Sequence, residues 1–378
     1  MDTAVDLHAD AAPAPAASGR GERLQRLLRE IDGLIEDDVA ADREITGGWQ
    51  TFDDIVAAAH THTWDAYSVD LSADAASFRA LDHRQQEAVK RVFGTIYRAE
   101  SIVDDWMDKI VAAIPLEPGY ESMRAALMTQ EHDERMHRGS LLRVAEEVLG
   151  IPIEDADRIA TKYNNFVAEI LFGQFEAEMR TLLRPNRPLE DVYLAIFIYG
   201  VISEDVAANS DVVIRRAKGK GIYDTFHLPG MKEGQTNVRR DEGRHVRIAV
   251  LATKRFLAEH PDSADRLLAQ AVGYMDLADR MVRRAKASRG LIDMHLAESY
   301  GPDVDSLYYY VMNMKRLAVR LGELGLRDGV LEVKKRVDAA IDELSDDDGE
   351  PIVETPSRWL RVVGPRMLRF AGVTRFAG

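Results

Sequence analysis

Apolar residues recur every three to four positions along most of the chain, which is the spacing of one face of an α-helix. The first such stretch runs from Arg23 to Ile35. Prolines, glycines and a capping residue, Asp82, divide the rest into long helices. The predicted helices cover residues 82–114, 121–149, 154–183, 188–218, 231–259, 262–287 and 302–344. Because no strand-like alternation of useful length separates them, the pattern predicts an all-α protein.

The composition divides the chain into three parts. Residues 1–20 are rich in Ala, Asp, Pro and Gly and indicate a disordered tail. Residues 21–290 are predicted to form the main helical domain, and residues 291–378 a C-terminal helical extension. Within that extension, residues 359–378 carry four arginines and no acidic residue. This basic tail is expected either to pack on the acidic body or to contact an acidic carrier protein or a membrane surface.

Charge and cysteine content exclude several classes of protein. The net charge of −15 argues against nucleic-acid binding. The absence of cysteine excludes disulfides, iron–sulfur clusters and thiolate metal sites within this chain. The N-terminus has no signal-peptide pattern and no apolar run is long enough to cross a bilayer, so a cytoplasmic protein without a transmembrane segment is expected.

Acidic residues occupy positions where the helical pattern predicts core. An ionised carboxylate in a core is costly unless it is paired or binds a metal. Four glutamates stand out at such positions. Two of them are followed three residues later by a histidine, so that the glutamate and the histidine project from one face of the helix. The candidate metal ligands, in chain order, are Glu100, Glu134, His137, Glu204, Glu242 and His245.

This order matches a known arrangement of ligands. Ferritin-like dimetal bundles take one Glu from each of two helices and Glu-x-x-His from each of two others. Carboxylates can bridge two cations, and imidazole suits iron, so the pattern predicts two metal ions that react with dioxygen; a carboxylate-rich site accepts Fe/Fe, Mn/Fe or Mn/Mn. The predicted fold is a ferritin-like helical bundle with this site in a four-helix core and extra N- and C-terminal helices.

Other interpretations of these acids remain open. The glutamates could form surface ion pairs with Arg98, Arg138 and Arg244. Glu169 or Glu176 could replace Glu204 as a ligand. Glu131 and Asp133 lie off the apolar stripe of their helix and are expected to be solvated.

The chain also resembles the ribonucleotide reductase small-subunit superfamily, and within it the small-subunit-like ligand-binding oxidases. The likeness covers about residues 60–260. It rests on Trp64-Asp65, Val69-Asp70-Leu71-Ser72, Ala80-Leu81, Tyr199 ahead of Glu204, and Leu228-Pro229-Gly230-Met231 ahead of Asp241-Glu242-Gly243-Arg244-His245. The resemblance implies a homodimeric oxidase or oxygenase that oxidises a C–H bond of a small-molecule or fatty-acid-like ligand.

The resemblance also implies roles for residues around the metals. It implies the same six ligands, an Fe/Fe or Mn/Fe pair of ions, and a hydrogen-bonded relay from Trp64 through Asp241 to His137. It further implies an ether cross-link between Tyr199 and the residue at position 102, where this chain has Ile102.

Three other functions are kept as alternatives. A radical-generating reductase subunit is disfavoured because Leu141 stands where such subunits usually carry the radical tyrosine. A desaturase or amine N-oxygenase of the same fold could use the basic tail to dock an acidic carrier. A metal-storage bundle would be a short four-helix chain, whereas this chain has 378 residues.

Overall fold

The computed structural model describes residues 19–46, 49–163, 166–208, 213–214, 222–287 and 304–345. These residues form helices joined by loops, and no strand occurs among them. The prediction of an all-α protein is therefore confirmed for this part of the chain. The predictions for residues 1–18 and for the basic tail, residues 359–378, fall outside the described residues.

The α-helices are numbered here in chain order. They are α1 (Gly19–Thr46), α2 (Phe52–Thr61), α3 (Ser72–Ala80), α4 (His83–Ala113), α5 (Glu121–Arg143), α6 (Ala156–Tyr163), α7 (Phe166–Leu182), α8 (Leu189–Ile196), α9 (Ile222–Thr225), α10 (Pro229–Glu259), α11 (Ala264–Ala287), α12 (Ser306–Glu323) and α13 (Arg327–Ser345). π-Helical segments continue α5 at Val144–Val148 and α8 at Phe197–Ala208. Short 3₁₀ turns precede α6 and α11 at Ile153–Asp155 and Pro261–Ser263.

The observed helices differ from the predicted ones in a few places. The break predicted near Gly325–Gly329 within 302–344 is confirmed: α12 and α13 are divided at Gly325, whose φ of 77° is a left-handed conformation that commonly ends a helix. Helices α2 and α3, of 10 and 9 residues, were not predicted. Each is too short for a helical period to repeat clearly in the sequence.

Four helical elements form the central bundle: α4, α5, α10 and the π-helical segment Phe197–Ala208. Helix α4 packs against α5, α5 against α10, and α10 against the π-helical segment. Met107, Phe197 and Ile248 are among the apolar side chains buried in this core. Burying one such large side chain contributes about 1.5–3 kcal/mol. Helix α12 packs on the outer side of the π-helical segment, and α2 packs against α5 and α10.

The predicted N-cap of α4 is confirmed as a capping box. The side chain of Asp82 accepts a hydrogen bond from the backbone N–H of Gln85 at 2.9 Å. In return, the side-chain oxygen of Gln85 accepts from the backbone N–H of Asp82 at 3.0 Å. Two of the unpaired N–H groups at the helix start are thereby satisfied, and the start of the helix that carries Glu100 is fixed.

Helix α10 is capped by a residue from a different helix. Asp74 of α3 accepts hydrogen bonds from the backbone N–H groups of Gly230 and Met231, both at 2.8 Å. Pro229 occupies the first turn, where its missing N–H costs nothing. A Cβ at position 230 would lie 2.4 Å from the backbone oxygen of Asp70, so only glycine fits there. This contact explains the sequence Leu228–Met231 and fixes the start of the second Glu-x-x-His helix.

Candidate metal centre

The six predicted ligands meet at one place in the central bundle. Helix α4 supplies one glutamate, α5 the first Glu-x-x-His pair, the π-helical segment one glutamate, and α10 the second pair. Their side chains are buried or nearly so; Glu134, for example, is only 1% exposed. The residues brought together are Glu100, Glu134, His137, Glu204, Glu242 and His245.

One half of the site surrounds Nδ1 of His137. This nitrogen lies 3.5 Å from Oε2 of Glu100 and 3.3 Å from Oε2 of Glu134. Oε1 of Glu242 lies 3.8 Å away on the α10 side. These three carboxylate oxygens and one imidazole nitrogen outline a position for a first cation.

The other half surrounds Nδ1 of His245 in the same way. This nitrogen lies 3.1 Å from Oε1 of Glu134 and 3.4 Å from Oε1 of Glu204. Oε2 of Glu242 lies 3.5 Å away. Glu134 and Glu242 therefore present one oxygen to each half, which is the arrangement of carboxylates that bridge two cations.

The hydrogen bonding of the buried polar atoms fits a pair of metal ions. Among the described residues, Nδ1 of His137 and Nδ1 of His245 have no hydrogen-bond partner, and neither do Oε2 of Glu204 and Oε2 of Glu242. Leaving buried polar atoms unsatisfied costs about 1–3 kcal/mol each. Oxygen and imidazole donors without sulfur suit iron and manganese. The donor set therefore fits two such ions.

Comparison with known proteins addresses the fold. No protein-family model matches the chain, and no match is found among curated proteins. Solved structures do match. One is described as an R2-like ligand-binding oxidase with aerobically reconstituted metal cofactor after photoconversion. It is 20% identical to this chain, with a TM-score of 0.54, and the match covers 73% of this chain and 94% of that chain. Another, with aerobically reconstituted Mn/Fe cofactor (long soak), is 19% identical, with a TM-score of 0.52, over 73% of this chain and 93% of that chain.

The chain has the fold of the R2-like ligand-binding oxidases. The resemblance noted in the sequence is thereby confirmed at the level of fold, as is the ferritin-like bundle. None of the described helices is sufficiently long and apolar to cross a bilayer.

In this R2-like fold an aspartate holds the far nitrogen of each histidine. Nε2 of His137 lies 3.1 Å from Oδ2 of Asp241, and that oxygen also accepts a hydrogen bond from the indole N–H of Trp64 at 2.7 Å. The Trp64 ring stacks on the His137 ring at 6.4 Å between centroids. The three residues of the predicted relay are therefore in contact. An acidic partner of this kind fixes the ring so that its other nitrogen faces the metal position.

The prediction that Asp133 is solvated is wrong. Asp133 is buried, and its Oδ2 lies 3.2 Å from Nε2 of His245 and 2.8 Å from Nη2 of Arg244. It lies off the apolar stripe of α5 because it faces α10, and a pattern within one helix does not reveal that neighbour. The signal in the sequence was the repeated Asp-Glu-x-x-His, at 133–137 and again at 241–245.

Two of the rival acids, Glu176 and Glu131, form ion pairs with arginines. Glu176 forms ion pairs with Arg98, at 3.4 Å, and with Arg180. Glu131 pairs with Arg135 at the outer side of α5. Arg244 is buried between aspartates instead of forming a surface pair, and the side chain of Glu169 lies outside the described residues. Among the acids whose side chains are described, Glu204 is the one whose oxygen reaches the His245 half from the preceding helix.

The π-helical segment brings two of its own residues to the site. Its hydrogen bonds join residues five apart, so Tyr199 and Glu204 come to roughly the same side. The Tyr199 hydroxyl donates a hydrogen bond to Oε1 of Glu134. In a regular α-helix, residues five apart point in different directions. The sequence did not predict this widened turn.

The cross-link between Tyr199 and Ile102 remains a prediction. Ile102 and Val103 are both buried on α4. Helical spacing puts residues three or four apart on one face, so Val103 lies on the side of Glu100 and Ile102 on another. Val103 is therefore a second possible partner for Tyr199.

The charges of the cluster favour a cation. Burial raises the pKa of Glu100 to about 7, despite the opposing effect of His137. Burial, together with repulsion by Glu242, raises the pKa of Glu204 well above its ordinary value. Burial would also raise the pKa of Glu134, but His245 and His137 hold it well below its ordinary value. Glu100 and Glu204 therefore hold a proton more tightly than free carboxylates do, and binding metal ions would displace those protons.

The pKa values of both histidines are also raised, although burial acts on imidazole in the opposite direction. Burial by itself lowers the pKa of His137, but the hydrogen bond to Asp241 and the nearby glutamates raise it well above its ordinary value. Burial likewise lowers the pKa of His245, which Glu134 and Glu204 raise well above its ordinary value. Both shifts have the same cause, an excess of negative charge in a dry interior.

Proposed function

We propose that the protein is a dimetal oxidase or oxygenase that uses dioxygen to oxidise a C–H bond of a bound ligand. Dioxygen is the oxidant: the C–H bond supplies two of the four electrons that reduce it to the level of water, and the two reduced metal ions would supply the other two, which an external one-electron donor must replace before the next cycle. The observation that carries the proposal is the pair of imidazole nitrogens, each facing one oxygen of the same two glutamates.

Each residue has a definite part in this proposal. Glu100 and His137 would hold one ion, and Glu204 and His245 the other, while Glu134 and Glu242 would be shared. A pair of Fe/Fe or Mn/Fe ions would supply the redox chemistry with dioxygen. The R2-like fold supports this assignment, because two solved structures of that fold are described as oxidases with a reconstituted metal or Mn/Fe cofactor.

Tyr199, Trp64 and Asp241 are proposed to assist the metals. Tyr199 holds its proton against Glu134, since burial raises the pKa of its phenol well above the ordinary value. Trp64 and Asp241 connect the His137 half to a partly buried indole, a route suited to electron delivery.

The ligand is proposed to be a small apolar or fatty-acid-like molecule. On the Tyr199 side the site is bordered by apolar groups, and the Trp106 ring meets the Tyr199 ring edge-on at 6.2 Å. A homodimer, a cytoplasmic location and a carrier or membrane-surface contact through the basic tail stay predictions of the sequence. The radical-generating alternative is disfavoured, because Leu141 packs in an apolar cluster with Val144 and Phe93.

Metal analysis tests the proposal. We expect two metal ions per chain in the parent protein, and loss of the pair in Glu134→Ala and in Glu242→Ala with unchanged helix content by circular dichroism. Glu131→Ala is the matched control, since Glu131 lies on the same helix as Glu134 but pairs with Arg135. An unchanged metal count in Glu134→Ala would refute the site.

Oxygen uptake then tests the activity separately. The reduced, metal-loaded protein should consume dioxygen in an oxygen-electrode cell, and the Glu134→Ala variant treated in the same way should not. If the loaded protein binds two ions but consumes no dioxygen, the oxidase proposal fails while the metal site stands.

A further inference from the structure

The two Asp-Glu-x-x-His segments brace each other across the bundle. Asp133 of α5 holds His245 of α10, with Oδ2 to Nε2 at 3.2 Å. Asp241 of α10 holds His137 of α5 at 3.1 Å. Each aspartate thus orients the histidine of the opposite helix, and each stands next in sequence to a shared glutamate.

A single buried cation lies between these aspartates. Nη2 of Arg244 lies 2.8 Å from Oδ2 of Asp133 and 2.7 Å from Oδ1 of Asp241. Arg244 is 2% exposed and is among the largest fully enclosed side chains of the described residues. Two carboxylates in a dry interior repel each other strongly, and a guanidinium keeps its charge under all ordinary conditions.

We propose that Arg244 is a positioning residue for both halves of the metal site at once. It holds Asp133 and Asp241 at a fixed separation, and they in turn fix the ring orientation of His245 and His137. The inference rests on the proposed function, because it concerns how the same two ions are held. One nitrogen atom of one side chain thereby connects the two imidazole ligands.

The two halves do not depend on Arg244 equally. Asp241 also accepts a hydrogen bond from Trp64 at 2.7 Å, so it keeps a neutral donor if the arginine is removed. For Asp133 the contacts found in the described residues are Arg244 and His245. Loss of Arg244 should therefore disturb the His245 half more than the His137 half.

Metal affinity in Arg244 variants tests the inference. Mn²⁺ and Fe²⁺ are titrated separately into metal-free protein against a competing chelator. Arg244→Met should weaken binding of both ions about 10- to 100-fold, the usual effect of losing a residue that supports a metal ligand. Arg244→Lys should recover part of the loss, since it keeps the charge but not the planar geometry. Arg240→Met is the matched control on the same helix, because Arg240 is exposed, and it should bind as the parent does.

A second variant keeps the test decisive if Arg244→Met does not fold. Asp133→Asn preserves size and should weaken one ion about 10- to 100-fold while leaving the other near the parent affinity. The EPR spectrum of bound Mn²⁺ at saturating metal is recorded for every variant that folds. A merely structural role for Arg244 would lower stability without changing that spectrum, whereas a change in ligand orientation would alter it.

The outcomes separate the two proposals. If the parent protein binds no metal pair, the proposed function has failed. If the parent binds two ions but Arg244→Met keeps the parent affinities and an unchanged Mn²⁺ spectrum, only the role of Arg244 is overturned. Where Arg244→Met does not fold, the same result in both Arg244→Lys and Asp133→Asn overturns it. Weakening of both ions by Arg244→Met, with weakening of one ion by Asp133→Asn, supports it.

Discussion

Gly200 of the π-helical segment lies directly against Ala249 of α10. A Cβ at position 200 would lie 2.4 Å from the Cβ of Ala249 and 3.5 Å from the backbone oxygen of His245. Carbon atoms do not approach to the first of these distances, so the two helices touch only because residue 200 is glycine. The contact sets the separation between the helices that carry Glu204 and Glu242.

Replacing Gly200 by alanine should therefore force these helices apart. Overpacking of this kind typically costs about 1–3 kcal/mol of the free energy of unfolding, which exceeds the gain in helix propensity. Urea unfolding of the metal-free protein measures the change. Gly273→Ala is the control: Gly273 lies in α11 with open space around it, so the same substitution should stabilise by up to about 1 kcal/mol. Equal effects of the two substitutions would contradict the close contact.

The hydroxyl of Tyr199 is expected to stabilise the metal-free protein through Glu134. Tyr199→Phe removes a donor to a buried carboxylate and should lower the free energy of unfolding by about 1.5–3 kcal/mol. Tyr193→Phe is the matched control. The Tyr193 hydroxyl lies as far as 3.5 Å from Oε2 of Glu259, so the bond is weak and its loss should cost about 1 kcal/mol or less. Chemical denaturation followed by circular dichroism compares the two. A Tyr199 variant as stable as the Tyr193 variant would argue against a strong bond to Glu134.

Asp74 is expected to hold the start of α10. Asp74→Ala removes two hydrogen bonds, to the N–H groups of Gly230 and Met231, and leaves both donors buried. The loss should be about 2 kcal/mol, at the upper end for an N-cap residue. Hydrogen exchange should also become faster at the first turn of α10. Asp53→Ala, at an exposed position in the first turn of α2, should cost less than 1 kcal/mol or so and serves as the control.

A buried ion-pair network should fix α12 to the π-helical segment. Arg316 lies 2.8 Å from Oδ1 of Asp205, the neighbour of Glu204, and Arg320 lies 2.6 Å from Oδ2 of the same residue. Arg316→Met leaves a buried carboxylate with less compensation, which typically costs about 3–5 kcal/mol; the remaining Arg320 favours the lower figure. Thermal and urea unfolding measure the difference.

An exposed ion pair provides the comparison for that network. Arg135 and Asp108 lie 3.1 Å apart with side chains that are 57% and 64% exposed. Arg135→Met should therefore change the free energy of unfolding by less than about 1 kcal/mol. A similar cost for Arg316→Met would mean that the Asp205 network contributes little to docking α12.

The sequence indicated the candidate ligands because their chemistry conflicts with their positions. Glu100 and Glu204 interrupt apolar faces, and Glu-x-x-His occurs twice on long helices. Such conflicts are rare and costly, so they remain visible without knowledge of the fold. The start of α4 was predictable for a similar reason, since the cap at Asp82 uses neighbouring residues alone.

Contacts between helices could not be predicted in this way. Asp133 was expected to be solvated, but it faces Arg244 and His245 of α10. The cap of α10 by Asp74 joins residues 156 positions apart. The π-helical turn that brings Tyr199 and Glu204 to the same side depends on how the segment packs. The sequence of the segment has the pattern of an ordinary apolar helix.

The sequence by itself therefore determined the all-α class, the start of α4 and the choice of six candidate metal ligands, because helical period, capping and the cost of buried charge are local properties. Only the tertiary structure decided which oxygens of Glu134 and Glu242 face which histidine, and that Arg244 lies between the aspartates behind them. These relations depend on the distance and rotation between packed helices, which many residues set together and no single segment encodes.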